Sequence, residues 1–116
     1  HTVVTDNRGA GLHVGEKSNA ASWDNTISYN GSNGVQAFDG SQVSLWNTTI
    51  TGNGTDAANT VNFRNGVATW SSTVNIGGSR IADHPSSGVR AHLTSLTICG
   101  STITVNGEGV MLYLAS

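Results

Sequence analysis

Short apolar words of alternating character recur along this chain, separated by Gly, Asn and Ser, and no stretch carries the 3.6-residue spacing of an amphipathic helix. Gly followed by Val or Leu occurs at Gly11-Leu12, Gly34-Val35, Gly66-Val67, Gly88-Val89 and Gly109-Val110, in steps of 23, 32, 22 and 21 residues. Once these pairs are aligned, other positions fall into register. Val43 and Leu45 match Val74 and Ile76, then Leu96 and Ile98. Five residues after each second member stand Ile50, Ile81 and Ile103, with Val4 and Ile27 in the equivalent place. Three residues further on come Asn7, Asn30, Asn53, His84 and Asn106. Each row therefore reads as three short alternating strands punctuated by turns.

A strand of about 3–5 residues cannot bury an apolar face alone, but stacking on its counterpart about 4.8 Å away in the next coil completes both the hydrogen bonds and a core. The predicted fold is all-β: a parallel β-solenoid of about four to five coils of 21–23 residues, forming one segment over 1–116. Val35, Val67, Val89 and Val110 are expected to form one buried column, and Ile27, Ile50, Ile81 and Ile103 another. The Asn column is expected at a tight corner, where Asn tolerates left-handed backbone and stacked amides bond one another, with His84 as its exception.

The 32-residue step contains about nine extra residues within 54–64, "GTDAANTVNFR", an inserted loop on one face. Residues 1–10 read as the end of a coil and 109–116 as the start of another. Because "GVMLYLAS" lacks a polar cap, continuation of the solenoid or an oligomer is expected at the ends.

Composition narrows the function classes. Charged residues are 10% of the chain, the formal net charge is −2, and Arg8, Lys17, Arg64, Arg80 and Arg90 are scattered, which argues against nucleic acid as a partner. No apolar run approaches the ~20 residues of a membrane span, so a membrane-embedded chain is not expected. Cys99 stands alone, without an intrachain disulfide partner or a thiolate metal motif. Neither a metal nor another cofactor is expected.

Strand alternation places Gln36 and Phe38 outward if Val35 and Ala37 point inward. The same register puts Phe38, Trp70, His92 and Tyr113 in one exposed outward column, and His13, Gln36, Ala68, Arg90 and Met111 in the column beside it. An aromatic strip flanked by Arg90 is the candidate ligand-binding surface, for a glycan or a host-surface protein. Trp23 and Trp46 form a second aligned pair. Glu16 and Asp39 align one coil apart and are the candidate carboxylate pair for glycoside hydrolysis, although each also suits a turn. Asn30, Asn47 and Asn53 stand in glycosylation sequons, but Asn30 and Asn53 belong to the inward ladder.

The stacked apolar columns and Asn ladder resemble the right-handed parallel β-helix proteins. "NGVQAFDGSQVSLWNTTITGNG" and "GEGVMLYLAS" look most like the pertactin-type passenger domains of bacterial autotransporters, and less like pectate-lyase-type enzymes and phage tailspikes. The resemblance implies an extracellular, cell-surface or virion-surface stalk or adhesin. Its alternatives are a fragment of a polysaccharide-degrading enzyme or tailspike, and a purely structural spacer. Lyases of this fold use an acidic calcium cluster with a basic proton abstractor. Arg90 is the residue here in a place for that role, without an acidic cluster beside it in the register. The residues favour a segment without catalysis of its own. An activity, if present, is expected to be that of a polysaccharide lyase or glycoside hydrolase.

Overall fold

The computed structural model describes residues 3–56, 58, 64–104 and 106–113, and every regular element among them is a strand. The chain repeats one three-strand cycle: β1 (Val3–Thr5), β2 (Leu12–Val14) and β3 (Asn19–Trp23), then β4 (Thr26–Ser28), β5 (Val35–Phe38) and β6 (Gln42–Trp46). The next turns are β7 (Thr49–Thr51), β8 (Val67–Trp70) and β9 (Thr73–Gly77), then β10 (Arg80–Ala82), β11 (Ser87–His92) and β12 (Ser95–Cys99). β13 (Thr102–Thr104) and β14 (Glu108–Tyr113) begin a further turn. Like strands stack into three sheets. Sheet A is β1-β4-β7-β10-β13, sheet B is β2-β5-β8-β11-β14 and sheet C is β3-β6-β9-β12.

All pairing is parallel and in register, which sets Val4, Ile27, Ile50, Ile81 and Ile103 in one column and Leu12, Val35, Val67, Val89 and Val110 in another. Sheet C adds Val43-Val74-Leu96 and Leu45-Ile76-Ile98. Val35, Val43, Leu45, Ile50, Val67, Val74, Ile81 and Val89 are fully buried. Each stabilises the fold by about 1.5–3 kcal/mol relative to exposure. The expectation fails at the last coil: Val110 is 44% exposed and Ile103 only half-buried, because β14 and β13 are the outermost strands of their sheets and have a stacked neighbour on one side.

The corners correct a second expectation. The ladder Asn residues are not themselves left-handed. Before Asn7, Asn30, Asn53 and His84 it is the preceding residue that is left-handed: Asp6 (φ 59°), Tyr29 (φ 52°), Gly52 (φ 64°) and Asp83 (φ 63°) make the turn from sheet A to sheet B. Asp39, Ser71 and Leu93 do the same from B to C, and Asp24, Asn47, Gly78 and Gly100 from C back to A.

Asn is needed in the ladder for its amide. The Asn7 and Asn30 Nδ2 groups donate to the Oδ1 of Asn30 and Asn53 respectively, each at 2.9 Å. The same two oxygens accept the backbone N–H groups of Asn7 and Asn30 at 3.1 Å. Asn53 Nδ2 also donates to the Ile27 carbonyl at 3.1 Å. His84 continues these roles in an imidazole. Its Nδ1 accepts the Asn53 N–H at 3.1 Å, and its Nε2–H donates to the Ile50 carbonyl at 2.9 Å. Because an N–H only donates and a carbonyl only accepts, these partners require the neutral ring with its proton on Nε2.

A second, unanticipated ladder climbs the far side of the same corner. Asn65 donates its N–H and Nδ2 to Asn33 Oδ1 at 2.9 and 3.1 Å, and Ser87 donates its N–H to Asn65 Oδ1 at 2.9 Å. Of the insertion expected over 54–64, residues 57 and 59–63 lie outside the described residues. Its first residues rest on the coil before: the N–H groups of Gly54 and Thr55 donate to the Asn30 carbonyl at 2.8 and 3.2 Å, and that of Asp56 to the Gly31 carbonyl at 3.1 Å. Register resumes at Asn65, whose carbonyl accepts the Gly34 N–H at 3.0 Å.

Candidate functional site

Sheet B carries the aromatic column on its outer surface. In β5 the inward Val35 and Ala37 are buried while the outward Gln36 and Phe38 are half-buried, as period-two alternation requires. Register aligns Phe38 with Trp70, Trp70 with His92, and His92 with Tyr113, whose side chain lies outside the described structure. Phe38 and Trp70 stack with centroids 4.8 Å apart and planes 12° apart, and Trp70 and His92 stack at 5.4 Å and 11°. His13 joins from the first coil, tilted 40° to Phe38 at 5.3 Å, and its Nδ1 is hydrogen-bonded to Gln36 Nε2 at 2.6 Å.

The strip was expected to be exposed, but Phe38, Trp70 and His92 are half-buried, because neighbouring rings cover one another's flat faces. A ligand on this surface would meet ring edges and the His13–Gln36 pair. Arg90 departs further from expectation. Its column runs Gln36, Ala68, Arg90, and Arg90 is only 8% exposed, with Ala68 fully buried between the two longer side chains. The His92 imidazole is held below its ordinary pKa first by desolvation and then by the charge of Arg90, which favours a neutral ring in the stack.

Glu16 and Asp39 align one coil apart in the backbone register, since Lys17 N–H donates to the Asp39 carbonyl at 3.1 Å. Both carboxylates are exposed. Asp39 (φ 55°) and Gly40 (φ 81°) are left-handed, so corner geometry accounts for the residue types. Arg90 lies on the strands of sheet B while these two lie at its corner with sheet C, and the three are not brought into one group. Among the described residues, no group of three or more His, Cys, Asp or Glu side chains is placed to hold a metal ion.

Trp23 and Trp46 align as expected, 57% and 39% exposed, in a column continued by Gly77 and Cys99. The Trp46 ring lies against Gly77, where a Cβ would collide with it. Cys99 is exposed. One feature was not expected from the sequence: a cleft of about 460 Å³ at the corner between sheets A and B, bordered by Asp6, Arg8, Tyr29 and Asp56. The trace of it in the sequence is Tyr29, the one aromatic residue among Asp6, Tyr29, Gly52, Asp83 and Val105, which precede the ladder residues.

Three parallel sheets, in-register apolar columns and an inward amide ladder define the class. A family model described as "Right handed beta helix region" matches residues 1–116, and the chain belongs to that family. The sequence matches no curated protein and no solved structure.

Proposed function

We propose that this segment is an extracellular or surface-displayed β-helical stalk, similar to the passenger of a pertactin-type autotransporter or an adhesin, which presents the outer face of sheet B to a glycan or protein. The observation that carries the reading is the ladder His13, Phe38, Trp70 and His92, which runs across four consecutive coils without an Asp, Glu, Lys or Arg in it. Aromatic edges beside the His13–Gln36 pair match the chemistry of a protein hot spot or the polar rim of a sugar better than a sugar stacked face-on. The rigid repeat would hold that strip in one geometry over about 15 Å.

Binding to a glycan array and to host extracellular proteins, measured for the parent chain, Trp70→Ala and Gln36→Ala, tests the proposal. A ligand whose affinity falls about tenfold in Trp70→Ala, with the sheet intact by circular dichroism, supports it. Unchanged affinity would reduce the ladder to sheet-stabilising stacking. The second reading, a fragment of a polysaccharide-degrading enzyme or tailspike, rests on the juxtaposition of Glu16 and Asp39. It requires new reducing ends or unsaturated uronates that disappear in Asp39→Asn.

A further inference from the structure

The corner from sheet A to sheet B sets Asp6, Tyr29, Gly52 and Asp83 in one left-handed column. Asp and Gly suit that backbone, whereas a bulky aromatic residue there is strained and calls for a reason. Tyr29 is nevertheless 60% exposed, so burial of its ring does not supply that reason. The ring is also seated from below. A Cβ at position 52 would come within 2.6 Å of Tyr29 Cε1 and 2.8 Å of Cδ1, so Gly52 leaves the space in which the ring lies against the next coil.

The cleft of about 460 Å³ opens beside this ring. Asp6 and Arg8 border it from the preceding coil, and Thr55 and Asp56 from the following one. Gly31 also lines it, and a Cβ there would collide with the Arg8 carbonyl, so the coils approach closely at this point. Asp56 is oriented by its own N–H bond to the Gly31 carbonyl at 3.1 Å and by the Ala58 N–H, which donates to its Oδ1 at 2.9 Å.

We propose that this cleft binds a neutral, hexose-based glycan, with one sugar ring stacked on Tyr29 and its hydroxyls bonded by Asp6, Asp56 and Arg8. A hexose has an apolar C–H face and a rim of paired hydroxyls. An exposed aromatic plane bordered by planar carboxylate and guanidinium groups complements both. The volume lies within the range of small-ligand sites. Two carboxylates against one guanidinium leave the cleft net negative, which disfavours uronates and other polyanions. The site is separate from the ring ladder of sheet B and does not rest on the role proposed for it.

The test titrates the chain with maltohexaose, cellohexaose, mannohexaose and hexagalacturonate at millimolar concentration, followed by NMR chemical shifts. At least one neutral hexaose should bind and hexagalacturonate should not. Tyr29→Gly should weaken binding about tenfold or more while raising the melting temperature, since glycine relieves the left-handed strain. That combination is one a merely structural tyrosine would not give. Tyr29→Phe should retain binding, and Trp70→Ala should leave it unchanged. Binding by none of the three neutral hexaoses, preferential binding of the galacturonate, unchanged binding in Tyr29→Gly, or its loss in Trp70→Ala would each overturn the proposal.

Discussion

Two ladders climb the same coils on opposite sides of the solenoid wall. Inside the corner, Asn7, Asn30, Asn53, His84 and Asn106 stack; outside sheet B, Phe38, Trp70 and His92 do. Both arise from one cause, since in-register parallel coils place like residue on like about 4.8 Å apart. Their obligations differ. Asn53 is fully buried and answers the N–H and Nδ2 of Asn30 as well as the Ile27 carbonyl, so its removal strands groups that water cannot reach. Trp70 is half-buried and makes ring contacts that strand no backbone group when broken. Stacking alone therefore does not separate structure from function; burial and hydrogen-bond obligation do.

The harshest break of this contrast places a charge inside. Val67→Asp buries an uncompensated carboxylate in a fully closed column and should abolish cooperative unfolding, a loss of several kcal/mol. Its control is Gln42→Asp, on the exposed face of sheet C, which should stay within about 0.5 kcal/mol of the parent. Chemical denaturation with circular dichroism reads both. If Val67→Asp kept a native melting transition, the interior would not be the closed apolar column described here.

Next in size is the inner ladder itself. Asn53→Leu keeps the branching and heavy-atom count of the side chain but removes every polar contact of the amide, leaving the Asn30 N–H and Nδ2 and the Ile27 carbonyl without these bonds. A loss of about 1–3 kcal/mol is expected in urea unfolding. A neutral effect would mean that the ladder bonds are incidental to stability.

The two ladders were not equally legible in the sequence. The apolar columns could be read because strand alternation and corner residues recur together, so Ile27, Ile50 and Ile81 align with no knowledge of packing. The second amide ladder was hidden because the insertion parts Asn53 from Asn65 and because Ser87 takes its third position. The left-handed columns were assigned one residue late, since Asn is so common at such corners that its amide role was read as a backbone role. Burial of Arg90 depends on how two long side chains close over Ala68, and partial burial of the rings on how closely they stack; neither is encoded in spacing. Of the candidate cleft only the aromatic Tyr29 in its corner column showed in the sequence, since the cavity itself needs three coils brought together.

His84 gives the inner ladder a pH dependence. Its pKa is lowered chiefly by desolvation, against partial opposition from its bonds to Ile50 and Asn53 and from the charge of Asp83. The folded chain therefore binds this proton less readily than the unfolded one. Its contribution to stability is full above about pH 6.5 and declines as pH falls towards the folded-state pKa, by at most about 1.4 kcal/mol per pH unit. Protonation would add a hydrogen on Nδ1 directly facing the Asn53 N–H. His84→Asn, which restores the amide of the other coils, should flatten the fall in melting temperature between neutral and mildly acidic pH. The part that remains includes His92, whose pKa is also lowered. An unaltered pH profile in His84→Asn would remove His84 from the account.

The smallest expected effect makes the sharpest test, because it repeats on the outer ladder the replacement made on the inner one. Trp70→Leu keeps an apolar side chain over the sheet and removes the stacking with Phe38 and His92. Ring pairs of this kind contribute about 0.2–1 kcal/mol each on a sheet, and the retained leucine recovers part of the covered area, so a loss of less than about 1 kcal/mol is expected. Asn53→Leu and Trp70→Leu measured side by side in the same urea series then report the inside–outside difference directly, with the introduced residue held constant. A clear gap, with the outer variant the more stable, leaves the ring ladder dispensable for folding, and its persistence over consecutive coils then calls for a role at the surface. Equal losses would instead make the rings as structural as the amides, and the case for sheet B as a docking face would lose the observation on which it stands.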